Sequence, residues 1–402
     1  MEEPTAKTQM EAYKKLFAAV LMILAFFSGN AFAEDTYPAV KIISSGFGNI
    51  NNTEVVVHIV RDGYLYAGTR NDSEGSSIWR SVDGTTWDLI PQTDHGFGDP
   101  NNTQIMSMYM WREHFYASTR NEVTGTELWR SPDGLSWSQV NSNGFGSSGT
   151  TKARAILSYQ GNLFVTTGNY TTGGRVWRSS DGTTWSQIND NGFGNAFNTD
   201  VAAAAVFDGY LYCATENEMG PAQGIEIWRY DGALWVRTTT GGFGDANNVF
   251  PTNMTVFENY LYVGAENNST LGTMWRSPDG TTWEKVAQVK DSALAPALIP
   301  TVSLDSRLYA GGSFNRNGLP DAVYSSLDGK TWVKAAGISG IPSLSYDGSL
   351  FIVSQSAGGN FNDVYKTARY KSGQTCMMDL SNDGKIGMAE AIYILQTVAG
   401  LR

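Results

Sequence analysis

The stretch Trp275–Trp283, WRSPDGTTW, recurs along the chain in near-identical form. Copies of the same length begin at Trp79 (WRSVDGTTW), Trp129 (WRSPDGLSW) and Trp177 (WRSSDGTTW). Each copy holds an Asp-Gly pair between two tryptophans. The motif could be a ligand site that is used several times, or a structural turn that every copy of a repeat needs in order to fold. In the second case it marks the fold.

The motif belongs to a longer repeat. The tripeptide GFG begins at Gly46, Gly96, Gly144, Gly192 and Gly242, so successive copies stand 50, 48, 48 and 50 residues apart. After each GFG come an Asn-rich or polar link, an apolar strand such as EVVVHIV, a tight turn and a second strand such as YLYAGTR. The third predicted strand carries Trp-Arg, Asp-Gly makes the next turn, and the fourth strand starts at the second Trp. Each copy is therefore predicted to be four short antiparallel strands.

Two weaker copies follow the last GFG. The sixth has Tyr324 and Trp332 in the two Trp positions, and the seventh, SLSYDGSLFIVSQS to DVYKTARY, has only three strands. Residues Tyr37–Ser45 stand directly before the first GFG, in the place of a fourth strand, so they are predicted to complete the last copy. Because a closed ring leaves no sheet edge open, the sequence predicts an all-β, seven-bladed β-propeller over residues 37–370. Six blades is the alternative count, and an open solenoid would not need the split copy.

The pattern S-x-D-G-x-x-W resembles the Asp-box, or BNR repeat, of sialidases and other secreted propeller glycosidases. It occurs at Ser81–Trp87, Ser131–Trp137, Ser179–Trp185, Ser277–Trp283 and Ser326–Trp332, in a form one residue shorter than the usual Asp-box. Asp can accept backbone N–H groups in a tight turn, Gly can take a positive φ, and Trp can pack between blades. We therefore interpret the motif as a structural hairpin on the blade face opposite the GFG links.

A ligand site is predicted on the face that carries the links, because propeller ligands usually meet that face. The second strands end there, and the residues at these ends are the candidate ligand-binding set: Arg70, Asn71, Arg120, Asn121, Glu216, Asn217, Glu266 and Asn267. Arg, Asn and Glu side chains can hydrogen-bond to sugar hydroxyls. The alternative is that the asparagines stabilise turns and cap exposed backbone.

Catalysis is the weaker prediction. A sialidase-like site needs clustered arginines, whereas the arginines after the strand tryptophans recur once per copy, which indicates scaffold: Arg80, Arg130, Arg178, Arg229 and Arg276. A carboxylate pair for other glycoside chemistry stays open among the 39 Asp and Glu residues. The three histidines are scattered, and no GxSxG, HExxH or Walker motif occurs in the sequence.

The net charge and the N-terminal sequence limit where the protein can be located and what it can bind. Lys and Arg total 28 against 39 Asp and Glu, a net charge of -11, which disfavours nucleic acid as a partner. Lys14 and Lys15, the apolar run Leu16–Phe27 and then Ala31–Ala33 form a secretory pattern. The run is shorter than the about 20 residues that span a membrane. Residues 1–33 are thus predicted to be a cleaved signal peptide, with Met10 as an alternative start. The protein is expected to be secreted or at the cell surface, with the periplasm as an alternative.

The C-terminal stretch Asp379–Glu390, DLSNDGKIGMAE, fits a twelve-residue calcium loop. The predicted Ca²⁺ ligands are Asp379, Ser381, Asp383, the carbonyl of Lys385, and Glu390. A helix with an apolar face follows, and residues 371–378 would link this segment to the propeller. Residues 379–402 resemble a single EF-hand loop or half of a type I dockerin, the calcium-dependent plug of cellulosome proteins. The resemblance implies a cohesin-like partner, although a full dockerin has two such segments.

Three functional hypotheses follow. The first is a non-catalytic binding or adhesion module for glycans or a cell-surface protein, with the tail used for attachment. The second is a secreted glycoside hydrolase, sialidase-like or polysaccharide-degrading, on the same scaffold. The third is a structural surface protein without a small ligand.

Overall fold

The second strand of each repeat is buried along nearly its whole length, and the other strands of the copy pair around it. The computed structural model describes residues 38–217, 223–239, 241–270, 272–288, 297–313, 322–356 and 359–368. These belong to one compact unit, Thr36–Ala368. The predicted signal peptide, linker and calcium segment lie outside the described residues.

The strands are arranged as four-stranded antiparallel meanders that follow one another along the chain. The first strand of the chain is β1 Ala39–Ile43. The first meander then consists of β2 Glu54–Arg61, β3 Tyr64–Arg70, β4 Ile78–Ser81 and β5 Asp88–Leu89. The second consists of β6 Gln104–Trp111, β7 His114–Arg120, β8 Leu128–Ser131 and β9 Ser138–Gln139. The third meander consists of β10 Thr150–Tyr159, β11 Asn162–Asn169, β12 Arg175–Ser179 and β13 Ser186–Gln187. The fourth consists of β14 Asp200–Phe207, β15 Tyr210–Glu216, β16 Ile227–Tyr230 and β17 Trp235–Arg237. Single residue pairs join these four meanders into one sixteen-stranded sheet: Arg70 with Gln104, Arg120 with Lys152, and Gly168 with Asp200.

Three separate four-stranded sheets complete the described strands. The first of these consists of β18 Asn248–Phe257, β19 Tyr260–Asn267, β20 Thr273–Ser277 and β21 Glu284–Gln288. The second consists of β22 Ala297–Leu304, β23 Arg307–Ser313, β24 Ala322–Ser326 and β25 Val333–Ser339. The last combines β26 Ile341–Tyr346, β27 Ser349–Ser354 and β28 Asp363–Thr367 with β1.

The two ends of the repeat region share this last sheet. β1 pairs antiparallel with β28, with Ala39 opposite Thr367. Lys41 Nζ lies 2.6 Å from Asp363 Oδ2, and the Ser45 amide donates to the other carboxylate oxygen at 2.9 Å. The predicted sharing of the last copy between the N-terminal strand and the C-terminal strands is therefore present in the strand pairing.

The hydrophobic core lies between neighbouring meanders. One cluster joins Tyr66 and Ile78 of one meander to Ile105, Phe115 and Trp137 of the next, all buried. Equivalent clusters recur along the chain. Because each meander buries its apolar faces only against its neighbours, the arrangement is an all-β, propeller-like fold.

The GFG links are short helical turns that carry an aromatic wedge. Four of them span Asp94–Phe97, Asn143–Gly146, Asn191–Gly194 and Gly241–Gly244, with Pro91–Thr93 before the first. In the second of these, Phe145 has a φ of 54° and stacks on Trp177, with ring centroids 4.6 Å apart and planes 14° apart. The Phe145 and Trp185 rings meet in an edge-to-face arrangement, with their centroids 5.8 Å apart. The two tryptophans of the WRSxDGxxW motif thus hold the link that precedes their own meander.

Among the described residues, no helix has both the length and the apolar character needed to cross a membrane.

Candidate binding site

The Asp-Gly turns use their polar groups within the turn. In the copy at Asp133, Oδ1 accepts the backbone amides of Leu135 at 2.8 Å and Ser136 at 2.7 Å. Ser131 Oγ accepts the Gly134 amide at 2.7 Å. Hydrogen bonds from the two backbone amides lower the pKa of Asp133 to about 2. The turns at Asp83, Asp181, Asp279 and Asp328 repeat this pattern. The carboxylates therefore stabilise the hairpin, as a structural turn requires.

The glycine of each turn also contacts the preceding meander. A Cβ on Gly182 would overlap the hydroxyl of Tyr116, which is fully buried in β7. Gly134, Gly280 and Gly329 meet Tyr66, Tyr212 and Tyr262 in the same way. The Asp-Gly turn is thus part of the contact between meanders, which leaves little of it for a ligand.

The links and the loops between second and third strands lie on one common face, which we call the link face. The Gly144 amide of a link donates to the Thr126 carbonyl of the preceding second-to-third loop at 2.8 Å, and Gly192 donates to Gly174 at 2.8 Å. Because strands in a meander alternate direction, the Asp-Gly turns lie at the opposite ends of the strands. This placement agrees with the sequence interpretation.

The predicted asparagines on the link face are buried, and three of them hold turns. Asn121 Oδ1 accepts the amides of Val123 at 3.0 Å and Thr124 at 2.8 Å, while its Nδ2 donates to Asn102 at 3.1 Å. Asn71 and Asn267 make the equivalent bonds, and Asn217 donates to Asn198 at 3.0 Å. All four asparagines are at most 3% exposed. The amides of Asn71, Asn121 and Asn267 therefore fix the loop conformation, whereas Asn217 Oδ1 is buried without a hydrogen-bond partner among the described residues.

The predicted arginines lie at the ends of β3 and β7 and are partly exposed. Arg70 Nη2 lies 2.7 Å from Asp72 Oδ2, and Arg120 pairs with Glu122 in the same i, i+2 arrangement. Their side chains are 32% and 24% exposed. Both arginines can therefore still be reached from solvent on the link face.

The predicted glutamates lie on the neighbouring part of the link face. Glu216 is buried, and its Oε2 lies 3.9 Å from Arg154 Nη2. Glu266 is half-buried and stands opposite Phe250 in the β18–β19 pair. The second-strand ends therefore bring arginine to one part of the face and glutamate to another.

The structure adds residues from the first strands that the sequence analysis did not single out. Arg154 Nε donates to Asp200 Oδ2 at 2.7 Å, across two meanders, and its guanidinium lies 5.4 Å from the centre of the Phe250 ring. Asp200 is fully buried, and its Oδ1 has no hydrogen-bond partner among the described residues. Lys152 Nζ donates to Tyr170 Oη. An ion-pair network therefore surrounds Arg154.

A hydrogen-bonded pair of polar side chains, one from β2 and one from β6, faces this network. Gln104 Nε2 donates to Glu54 Oε2 at 3.0 Å, which connects β6 to β2. Burial raises the pKa of Glu54, and Arg70, Arg154 and Arg120 oppose this rise. Burial, followed by the Arg154 charge, lowers the pKa of Lys152. We call the following set the mouth cluster: Glu54, Gln104, Lys152, Arg154, Asp200, Glu216 and Phe250.

The mouth cluster departs from the repeat. By strand register, five equivalent positions at the start of the first strands are Glu54, Gln104, Lys152, Asp200 and Phe250. A structural position would keep one class of residue, as the buried aromatic residues of the second strands do: Tyr66, Tyr116, Phe164, Tyr212 and Tyr262. The aligned copies already show different residue types at this position. They do not show which copies contact one another. The mouth cluster is therefore the candidate site.

Metal binding was predicted only for the tail. In the part of the chain that the structure describes, no group of three or more His, Cys, Asp or Glu side chains is placed to hold a metal ion. The five predicted calcium ligands lie outside that part, so the calcium site remains a prediction.

Comparisons with known proteins give distant structural similarity only. No family model matches the chain, and no curated protein matches it. An α-L-arabinofuranosidase from Fusarium graminearum, solved with an iminosugar inhibitor, is 12% identical with a TM-score of 0.46, covering 84% of this chain and 98% of that one. A mutant Aleuria aurantia lectin in complex with Fucα1-6GlcNAc is 12% identical with a TM-score of 0.47, covering 77% and 100%. One of two prolyl endopeptidases is 11% identical with a TM-score of 0.47, covering 88% and 52%. Ligand and activity are therefore argued from the site's own residues.

Proposed function

We propose that the protein is a non-catalytic binding module whose ligand approaches the mouth cluster from the link face. The observation that carries the proposal is the break in the repeat at this cluster. Turns, wedges and buried second-strand aromatics recur from copy to copy, whereas the starts of the first strands differ in charge and size. A site for one ligand must be asymmetric, and this is where the asymmetry is concentrated.

The chemistry of the mouth cluster suits a polyhydroxylated ligand such as a glycan. Guanidinium and ammonium groups donate hydrogen bonds, carboxylates accept them, and Gln104 does both. Sugar hydroxyls also donate and accept, and the apolar face of a sugar ring can pack on an aromatic ring such as Phe250. Specificity in such sites comes from a few placed polar groups beside apolar surface.

A glycoside hydrolase is the second candidate, because two carboxylates stand side by side. Asp200 and Glu216 are directly opposite each other in the β14–β15 pair. Glycosidases use a carboxyl pair in which one group is the acid and the other the base or nucleophile, and these roles need different environments. Here both carboxylates lie beside the same guanidinium, Arg154. This shared partner favours binding over catalysis.

A glycan array combined with a reducing-sugar assay separates the two functions. We expect the purified protein to bind at least one glycan and to release no reducing sugar from it. Release of reducing sugar that is lost in Asp200→Asn would establish the hydrolase instead. Absence of both binding and turnover would favour a structural surface protein.

We also propose that the sheets form a closed ring of seven blades in which β1 supplies the outer strand of the last blade. The pairing of β1 with β28 supports this, as does the bridge between Glu54 and Phe361, which joins the first blade to the last. In this proposal the Asp-Gly turns are shortened Asp-boxes that hold each blade against the one before it.

Export and a calcium-dependent tail complete the proposal. Residues 1–33 would direct the protein out of the cytoplasm, and the loop Asp379–Glu390 would bind Ca²⁺ and serve attachment, through a cohesin-like or other surface partner. Calorimetric titration with Ca²⁺ tests the loop by comparing the wild type with Asp379→Ala. Loss of binding in the variant is expected, and equal binding by both would rule out the assigned site.

A further inference from the structure

A cavity of about 340 Å³ lies beside the mouth cluster. It is enclosed mainly by the first strands β2, β6, β18, β22 and β26, and Glu54 and Gln104 are shared between it and the mouth cluster. Its size falls at the lower end of small-molecule pockets, which measure about 300–1,000 Å³. A group that passes the mouth cluster could therefore enter it.

One part of the cavity wall is polar and comes from three β-bulges. The registers of β2, β22 and β26 each skip one residue just before the partner of the second-strand aromatic. The skipped residues all line the cavity: His58, Thr301 and Ser343. We call these three residues the polar arc.

Two members of the polar arc offer acceptors. Thr301 Oγ1 donates to the Tyr309 carbonyl at 3.4 Å, and Ser343 Oγ donates to the Phe351 carbonyl at 3.3 Å. A hydroxyl that donates to its own sheet still has lone pairs that can accept a hydrogen bond. The polar arc can therefore receive hydrogen bonds from a ligand.

The third member, His58, is neutral near neutral pH. Burial lowers the pKa of His58 from 6.5 to about 4, and its Nε2 has no hydrogen-bond partner among the described residues. A neutral imidazole nitrogen can donate or accept according to the tautomer. A buried polar atom of this kind is usually satisfied by protein, water or ligand.

We propose that the cavity binds one uncharged, monosaccharide-sized group of the ligand, with its hydroxyls hydrogen-bonded to Thr301, Ser343 and His58. The inference rests on the proposed function, in which the ligand reaches the protein at the mouth cluster. The remaining wall includes Val56, Met106, Ile299 and Ile341. A charged group would lose its hydration against these apolar side chains, whereas a sugar ring can place its C–H face on them.

The imidazole resonances of His58 provide a direct test. The chain has three histidines, so ¹⁵N-edited spectra of the imidazoles are simple, and His58→Met assigns one resonance by its loss. Met106, the residue skipped by the register of β6, also lines the cavity, so a methionine side chain is compatible with this wall. The probes are D-glucose, D-galactose, D-mannose, N-acetyl-D-glucosamine and the charged D-glucuronate, each added to the full-length protein at neutral pH.

We expect at least one neutral sugar to shift the His58 resonance and leave His95, which is exposed, unchanged. Glucuronate is expected to have no effect. The affinity for the neutral sugar should fall at least tenfold in His58→Met and in Ser343→Ala. Met108→Leu, in the core between two meanders and outside the cavity lining, is the control and should bind as the wild type does.

The failure of this inference differs from the failure of the proposed function. If no neutral sugar shifts His58, or if His58→Met binds as the wild type does, the cavity is not a sugar site. Loss of glycan binding only in a mouth-cluster variant would then leave the proposed function in place. A sugar that shifts His58 while the glycan array shows no binding would support the cavity site and remove the larger proposal.

Discussion

Single glycines decide how closely neighbouring meanders approach. Gly182 and Gly161 have nearly the same backbone, with φ values of 78° and 76°. A Cβ at Gly182 would overlap the Tyr116 hydroxyl, whereas a Cβ at Gly161 would meet nothing within 4 Å. Gly161→Ala should cost about 1 kcal/mol, from the left-handed backbone alone. Gly182→Ala should cost about 3 kcal/mol, because it adds a steric overlap in a packed contact.

Denaturant unfolding of both glycine variants measures this difference. Tyr116→Phe removes the overlapping hydroxyl, so it should recover part of the loss in the Gly182→Ala background, as a non-additive pair. Equal destabilisation by the two glycine substitutions would contradict the proposed contact between turn and tyrosine.

His58 should make the protein sensitive to acid. Its folded pKa of about 4 lies below its ordinary value of 6.5, so between these values the unfolded chain holds a proton that the folded chain does not. The free energy of unfolding therefore rises with pH across this window, and the contribution is lost as pH falls from 6.5 towards 4. The largest effect is about 3 kcal/mol.

The measurement is the free energy of unfolding of His58→Met relative to wild type at several pH values. The variant should gain relative stability as the pH falls from 6.5 to 4. Met108→Leu, at a buried side chain that does not titrate, should differ from the wild type by the same free energy at every pH. A pH-independent difference for His58→Met would show that the histidine does not titrate as a buried group.

At the scale of elements, each GFG link is held by an aromatic wedge. Phe145 stacks on Trp177 and meets Trp185 edge-on. Phe145→Leu keeps much of the apolar bulk but loses both ring contacts, so it should destabilise the protein by about 1–2 kcal/mol. Phe197→Leu, at a phenylalanine that is 42% exposed, is the matched control and should change little. Urea unfolding of the two variants tests the wedge, and equal effects would argue against it.

The elements were largely predictable from the sequence, because they repeat. The Asp-Gly turns carry their own signal, since Asp accepts the following amides and Gly takes the positive φ. The YLY-type second strands and the GFG links were identified in the same way. The aromatic wedge was predicted only in part. The tryptophans were expected between blades, but the pairing of Phe145 with Trp177 joins residues about two thirds of a repeat apart in sequence and needed coordinates.

The site was less predictable than the fold. The sequence analysis chose the link face and Arg70, Arg120, Glu216 and Glu266, but it grouped them with asparagines that the structure buries. It missed Arg154 and Asp200, because their contact joins two meanders across 46 residues and belongs to no local pattern. The repeat pattern identifies the residues that are common to all copies. A binding site depends on the residues that differ between copies and on which copies lie next to each other.

At the scale of the whole molecule, β1 is expected to hold the two ends of the repeat region together. A chain that begins at Ser44 lacks this strand and leaves β28 with an unpaired edge. Its unfolding midpoint should fall by roughly 5 °C or more relative to a chain that begins at Pro38. Equal midpoints would mean that β1 contributes nothing to the last sheet, and calorimetry of the two chains decides this.

The binding face is the central claim, and one comparison of affinities tests it most directly. The dissociation constant of a glycan identified on the array is measured for wild type, Arg154→Leu in the mouth cluster, and Asp133→Asn in an Asp-Gly turn at the opposite ends of the strands. We predict at least tenfold weaker binding for Arg154→Leu and unchanged binding for Asp133→Asn, with both variants folded by circular dichroism. Unchanged binding for Arg154→Leu together with a loss for Asp133→Asn would place the ligand at the Asp-Gly turns and contradict the account.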